Sequence, residues 1–248
     1  MHRCLLPLLA LAACRPAPAA TRAAPDPGVV LAEARSQFRH GKFAKALLSL
    51  QRLKFELQPG DSAQAEVAYD MAECEFQTGD LPQAAHDFRA VSEGYPNSQY
   101  APLALLREGD ANLRQWKVPE LDPAAGDAAL AIYQELAERY PGTDAAARGQ
   151  IHARELREQF AEKEYKNGMF YFRRHAWDSA IIYFKSVIAT YPETTWVPQA
   201  LLRLVDSYRA IGYTEERVEA CAHLHQYFPT TPGLADRCPA DTAAAPPS

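Results

Sequence analysis

Positive charge is what this sequence does not have in excess. Its 26 lysines and arginines are outnumbered by 31 aspartates and glutamates, a formal net charge of −5. A chain that neutralises phosphates presents a basic stripe, so nucleic acid is not an expected partner. A long apolar run is also missing from the amino terminus. Leu5 to Ala13 is nine residues, and crossing a bilayer takes about 20. Neither a phosphate loop nor a dinucleotide fingerprint occurs, and HExxH and GxSxG are absent, which removes the chemistry those motifs carry. Acidic residues are dispersed rather than paired. His152 and Glu155 stand one helical turn apart, as do Cys221 and His225, with Cys238 a further thiol nearby in sequence. A surface pair is the plainer reading of the first two. His223 and His225, two apart, face different ways on a helix. No catalytic residue, metal site or cofactor is expected, and the chain reads as a non-enzyme.

What is present begins at the amino terminus. Arg3, the apolar run and the small residues after it have the layout of a secretory signal over residues 1–13. Leu11-Ala12-Ala13-Cys14 further resembles the bacterial lipobox, which implies cleavage before Cys14 and acyl chains on its thiol. An ordinary signal with an incidental cysteine is the alternative. One acyl chain is a weak anchor and two or three a firm one. Arg15, where an Asp would retain a lipoprotein at the inner membrane, implies an outer-membrane destination. Residues 15 to 27 hold four prolines and five alanines with almost nothing bulky, so 14–27 reads as a tether. Secretion permits disulfides. Cys221 and Cys238 are a candidate pair that would pin the tail to the last helix, and Cys74 is expected as a small core residue.

The body is a repeat. "YPNSQYAPLALL" from Tyr95, "YPGTDAAARGQI" from Tyr140, "YPETTWVPQALL" from Tyr191 and "YFPTTPGLAD" from Tyr227 share an aromatic-proline step before a helical pattern. Upstream of such steps a small residue, Ala46, Ala84, Ala129 or Ala180, is followed four positions on by Leu50, Phe88, Tyr133 or Phe184. A small residue lets two helices approach, and one turn later a large one fills the gap. The prolines, Pro59, Pro96, Pro141, Pro192 and Pro229, end the second helix because they cannot continue it. The pattern resembles the tetratricopeptide repeat. It implies an all-α, right-handed solenoid of about five helical hairpins: repeats one to three over 28–142, repeats four and five over 143–230, and a flexible tail over 231–248. The third repeat carries the insertion "RQWKVPELDPAAG" between its helices. From Thr143 to about His175 one long helix is expected, capped by Thr143 or Asp144, with its charged stretch 154–166 largely solvated. Repeat five has Arg217 at the small position and Cys221 at the large one.

Such solenoids present a concave surface lined by the first helix of each repeat. By repeat phase that surface includes Arg35, Phe38, Arg39, Tyr69, Glu73, Phe76, Asp110 and Arg114. Aromatics flanked by arginine suit an extended peptide with an aromatic side chain and a carboxylate. The alternative is that the aromatics pack between repeats and the charges are solvated. In repeat four the matching positions are Tyr165, Met169, Phe172 and Arg173, while Tyr171 and Tyr183 are expected inside the hairpin.

The stretches "GDLPQAAHDF", "ERYPGTDAAARG", "EKEYKNGMFYFRRHAWDSAIIYFKSVIATYPETTW" and "ALLRLVDSYRAIG" resemble those of the outer-membrane assembly lipoproteins of the BamD and ComL type. Glu164-Tyr165, Tyr171, Ala176-Trp177 and Tyr191-Pro192 carry much of the match. The resemblance implies a lipid-anchored scaffold of the β-barrel assembly machinery at the periplasmic face of the outer membrane. Its expected partners are a BamA-type barrel protein, docked through a POTRA domain around Arg173, Arg174, Trp177 and Tyr183, and unfolded outer-membrane β-barrel proteins, received by the N-terminal repeats. Other assembly lipoproteins are further expected partners. Two other classes stay open: a periplasmic scaffold of Tol-Pal or division complexes, and an envelope enzyme such as a lytic transglycosylase, for which no length is left over.

Overall fold

The computed structural model describes residues 26–116 and 122–239. The leader, the lipobox with Cys14, most of the tether and the end of the tail lie outside them. Among the described residues all regular structure is helical. Ten helices pair in chain order into five hairpins: α1 (Pro27–Arg39) with α2 (Phe43–Glu56), α3 (Ala63–Thr78) with α4 (Leu81–Gly94), α5 (Tyr100–Gln115) with α6 (Ala124–Arg139), α7 (Asp144–Phe172) with α8 (Trp177–Thr190), and α9 (Val197–Ile211) with α10 (Thr214–Tyr227). A short α11 (Leu234–Arg237) follows. Each of α1 to α10 packs on the next along the chain. The molecule is an all-α tetratricopeptide solenoid.

The repeat chemistry explains the packing. Ala46, Ala84, Ala129 and Ala180 are fully buried, and so are Phe88, Tyr133 and Phe184, with Leu50 at 2 % exposure. Where paired helices approach closely even a methyl group does not fit: a Cβ on Gly168 of α7 would lie 2.6 Å from the Phe184 ring. Gly41 and Gly79 turn the chain between their helices at φ of +71° and +89°, a conformation glycine adopts without penalty. The equivalent position in repeat four is His175, which adopts φ +60° and is the one non-glycine residue with positive φ among those described. α2, α4, α6, α8 and α10 each end within three residues of Pro59, Pro96, Pro141, Pro192 and Pro229 respectively.

α7 is the 29-residue helix expected from the sequence. The Thr143 side chain caps it by accepting from the Ala146 N–H at 3.2 Å, and it stops at Phe172 rather than at His175. The expectation that 154–166 is largely solvated does not hold. Leu156, Phe160 and Ala161 are buried: Leu156 and Phe160, one turn apart, share a face, and Ala161, one step round the helix, belongs to a second core. Phe160 packs on Trp116 at 5.1 Å and stacks on Tyr191 at 6.4 Å. α7 therefore serves two cores, one shared with α5 and α6 and one shared with α8 to α10. On the solvated face Glu162 and Lys166 pair at 2.7 Å.

The tail differs from the expected flexible segment over 231–239. α11 packs back on α9 and α10. Cys238 is joined to Cys221, and both are fully buried. The sulfur bridge thus fills the large-residue position of repeat five, which the sequence leaves to a small side chain. Arg209 donates to the Arg237 carbonyl at 2.7 Å, and His225 Nε2 lies 2.8 Å from the Cys238 carbonyl.

Candidate functional site

The groove is built from α1 and α3. A cavity of about 300 Å³ opens between them, lined by Ala34, Arg35, Phe38 and Arg39 of α1, Leu50 of α2, and Tyr69, Asp70 and Glu73 of α3. Five of the eight residues expected on the concave surface therefore meet in one place: Arg35, Phe38, Arg39, Tyr69 and Glu73. Their identities follow from the helical period, since Arg35 and Arg39, or Tyr69 and Glu73, are one turn apart on a shared face. The walls are held in place. Arg35 pairs with Glu66. Phe38 meets Phe43 edge-on at 5.0 Å. Tyr69 donates to Glu73 at 3.0 Å and packs on Phe88 and Tyr100. Burial, with the neighbouring Glu73 carboxylate, pushes the Tyr69 phenol up and keeps it neutral. Asp70 is pushed up to about 6, first by burial, against the pull of Arg35. Arg39 is different. It is exposed and, among the described residues, has no ion-pair partner.

Phe76, Asp110 and Arg114 do not join this cavity. They form a lock between repeats two and three. The Phe76 ring lies between two guanidinium groups, Arg107 at 3.9 Å and Arg114 at 4.5 Å. Arg107 pairs with Glu73 of the groove wall and, at 3.0 Å, with Asp110. Asp110 in turn accepts from the Tyr133 hydroxyl at 2.9 Å, and Arg114 donates to the Phe76 carbonyl at 3.1 Å. For Phe76 the alternative of packing between repeats is realised, but Asp110 is paired rather than solvated. A second lock runs beside it: Arg89 donates to Glu108 at 3.0 Å and to Glu135 at 2.7 Å, and Arg139 donates to Glu135 at 2.6 Å. Sequence reading missed Asp70 and Arg107. Arg107 carries a readable signal, standing three residues before Asp110 and seven before Arg114 on one helix face.

At the other end, the α7–α8 turn gathers the residues expected to meet a partner. Trp177 stacks on His175 at 5.0 Å and meets Phe172 edge-on at 5.1 Å. Tyr183 stacks on Tyr171 at 5.3 Å. Arg174 covers the half-exposed Phe170 ring at 3.5 Å. Arg173 and Arg174 are exposed. Beyond this turn, Arg203 of α9 reaches Tyr165 of α7 and, at 3.0 Å, Asp206, which also holds Arg237 of α11 at 3.0 Å. Among the described residues no group of three or more histidine, cysteine, aspartate or glutamate side chains could hold a metal ion. His152 lies 3.4 Å from Glu155, an ordinary surface pair. No described helix is long and apolar enough to cross a membrane.

Compared with known families, residues 25–224 match the model YfiO, described as an outer membrane lipoprotein. The chain belongs to that family. Several similar proteins carry the same name. The outer membrane protein assembly factor BamD of Caulobacter vibrioides is 32 % identical over 145 residues, which is 58 % of this chain and about half, 47 %, of that protein. The BamD of Vibrio cholerae is 24 % identical over 91 % of this chain and 96 % of its own length. Among solved structures, the TPR2AB-domain:pHSP90 complex of yeast Sti1 is similar at 14 % identity and a TM-score of 0.47, covering 85 % of this chain and 81 % of that one. The YfiO match takes in all of the groove and all of the α7–α8 surface, and it stops within α10 at residue 224. The disulfide-pinned tail, from Thr231 onward, lies beyond it.

Proposed function

We propose that this YfiO-family chain is an outer membrane protein assembly factor: a lipid-anchored, non-catalytic scaffold of the β-barrel assembly machinery at the periplasmic face of the outer membrane. In this reading the first repeats receive unfolded outer-membrane β-barrel proteins, and the α7–α8 surface docks the POTRA domain of a BamA-type barrel subunit. Cys14 carries the acyl chains. The names of the similar proteins supply the assembly role. The observation that supports the division of labour is the groove itself. It offers a half-buried aromatic wall, Phe38 and Tyr69, an acidic floor, Asp70 and Glu73, and one uncommitted cation, Arg39, at its mouth. An extended strand with an aromatic side chain and a terminal carboxylate matches that arrangement in shape and charge. The α7–α8 turn presents stacked aromatics beside two exposed arginines, the composition of an interface centre.

The test is recovery of the tagged chain from detergent-solubilised envelopes of its own organism, with Cys14→Ala as control. A POTRA-containing barrel protein recovered near one-to-one supports the reading. Recovery of division or peptidoglycan proteins without such a barrel contradicts it.

A further inference from the structure

α2 has a second apolar face that its own fold does not use. Its core side is Ala46, Leu50 and Leu53, all at 2 % exposure or less. At about 100° per residue, Leu48 and Phe55 fall on the opposite side of the helix. They are 57 % and 90 % exposed. Single exposed apolar residues are ordinary, but these two are seven apart and so stack on one stripe. Lys45 and Arg52 flank the stripe one step round the helix, and Lys54 is exposed nearby. None of the three has an ion pair among the described residues. The region as a whole is basic within an acidic chain. Residues 26 to 57 hold six lysines and arginines against three acidic residues, whereas the rest of the chain holds 20 against 28.

Topology adds where this face sits. α1 and α2 are joined by a three-residue turn, so Pro27 and Phe55 lie at the same end of the hairpin. The chain enters there from Cys14, twelve residues before Asp26. At roughly 3.3–3.6 Å per residue those twelve reach no more than about 40 Å. We propose that the outer face of α2, with Leu48 and Phe55 inserted and Lys45 and Arg52 at the headgroups, docks on an anionic phospholipid surface and fixes the tilt of the first repeat against the membrane. The inference rests on the reading of Cys14 as the anchor. The anchor supplies the affinity: a short tether raises the local concentration to the order of mM, so two apolar side chains and two cations need only orient a domain already held there.

The experiment supplies the anchor chemically. The mature chain is joined through Cys14 to a maleimide-bearing lipid in vesicles of phosphatidylethanolamine and phosphatidylglycerol, with brominated or unbrominated acyl chains. Phe55→Trp is compared with Tyr227→Trp, an exposed aromatic at the far end of the solenoid, 59 % accessible. The native tryptophans contribute equally to both. Brominated lipid should quench the added indole at position 55 and not at position 227. Lys45→Glu with Arg52→Glu, or vesicles of phosphatidylcholine, should reduce that quenching several-fold. Helical circular dichroism checks that each variant is folded. Equal quenching at both positions, or none at position 55, overturns the proposal. So does a spectral shift that grows with protein density and ignores lipid composition, which would mean that a second copy covers the face. Failure of the anchor reading shows separately, as a mature protein from cells whose Cys14 peptide lacks acyl mass.

Discussion

Arg39 is a residue whose partner is missing from the fold. It stands at the mouth of the groove beside Phe38, exposed and unpaired among the described residues. Arg39→Ala should leave thermal stability within about 0.5 kcal/mol, as exposed substitutions do. It should weaken binding of an aromatic peptide with a free carboxylate about tenfold, the equivalent of about 1.4 kcal/mol. Fluorescence anisotropy with the same peptide amidated at its C-terminus checks this, since amidation should weaken the unaltered protein and leave the variant unaffected. His175 is strained where Gly41, Gly79 and Gly212 are not. A left-handed conformation costs a residue with a side chain about 1–2 kcal/mol. His175→Gly should therefore keep or raise stability, by up to about 1 kcal/mol once the entropy of glycine is set against the relieved strain. It should also weaken partner binding if the His175 ring holds the Trp177 indole in place. Thermal melts and binding titrations separate the two effects. The sequence shows the identity of such residues and their repeat phase. It does not show which charges are already paired. Phase puts Phe76, Asp110 and Arg114 on the concave surface, but only the meeting of α5 with its neighbours, Arg107 with Phe76 and Glu73 of α3 and Asp110 with Tyr133 of α6, decides that those three are locked rather than free.

At the scale of the element, the small-then-large pattern carries most of the information. It is legible because close helix approach demands it, and Gly168 against Phe184 is one clear case. Gly168→Ala should destabilise the protein by about 1–3 kcal/mol, the usual effect of overpacking, although alanine is the better helix former by about 1 kcal/mol. Chemical denaturation reads the change; a stabilised variant would mean that the α7–α8 packing is looser than 2.6 Å implies. The reading of 154–166 as solvated failed for a physical reason. Composition averages over all sides of a helix, whereas burial follows the period: Leu156 and Phe160 share one face and Ala161 lies on the next, so that stretch is buried in two cores. Low complexity implies mobility over 231–248, and the ordered stretch 231–239 departs from it. A buried disulfide orders a segment that its composition alone would not.

Across the whole molecule, two buried carboxyl groups couple the stack to pH. Glu75 and Glu108 are each about nine-tenths buried. Burial pushes Glu75 up to about 7, helped by Asp87 and Asp80, and pushes Glu108 up to about 7 against the pull of Arg89. A group whose folded value is raised keeps its proton longer in the folded state. Its contribution is therefore complete below about pH 4.5, the ordinary value, and is lost as pH rises to about 7. Glu75→Gln, which cannot lose a proton, should gain stability relative to the unaltered protein between about pH 5 and about pH 8, by about 1–3 kcal/mol. Thermal melts at the two ends of that window check the sign, and a gain at the acidic end instead would contradict it. The central claim concerns two surfaces at opposite ends of one solenoid, and site-specific photo-crosslinking in living cells tests it most directly. A photoreactive side chain at Phe38 should capture unfolded outer-membrane β-barrel proteins, and one at Trp177 should capture a POTRA-containing barrel subunit. Capture of the same protein at both positions, or of neither class at either, would contradict the account.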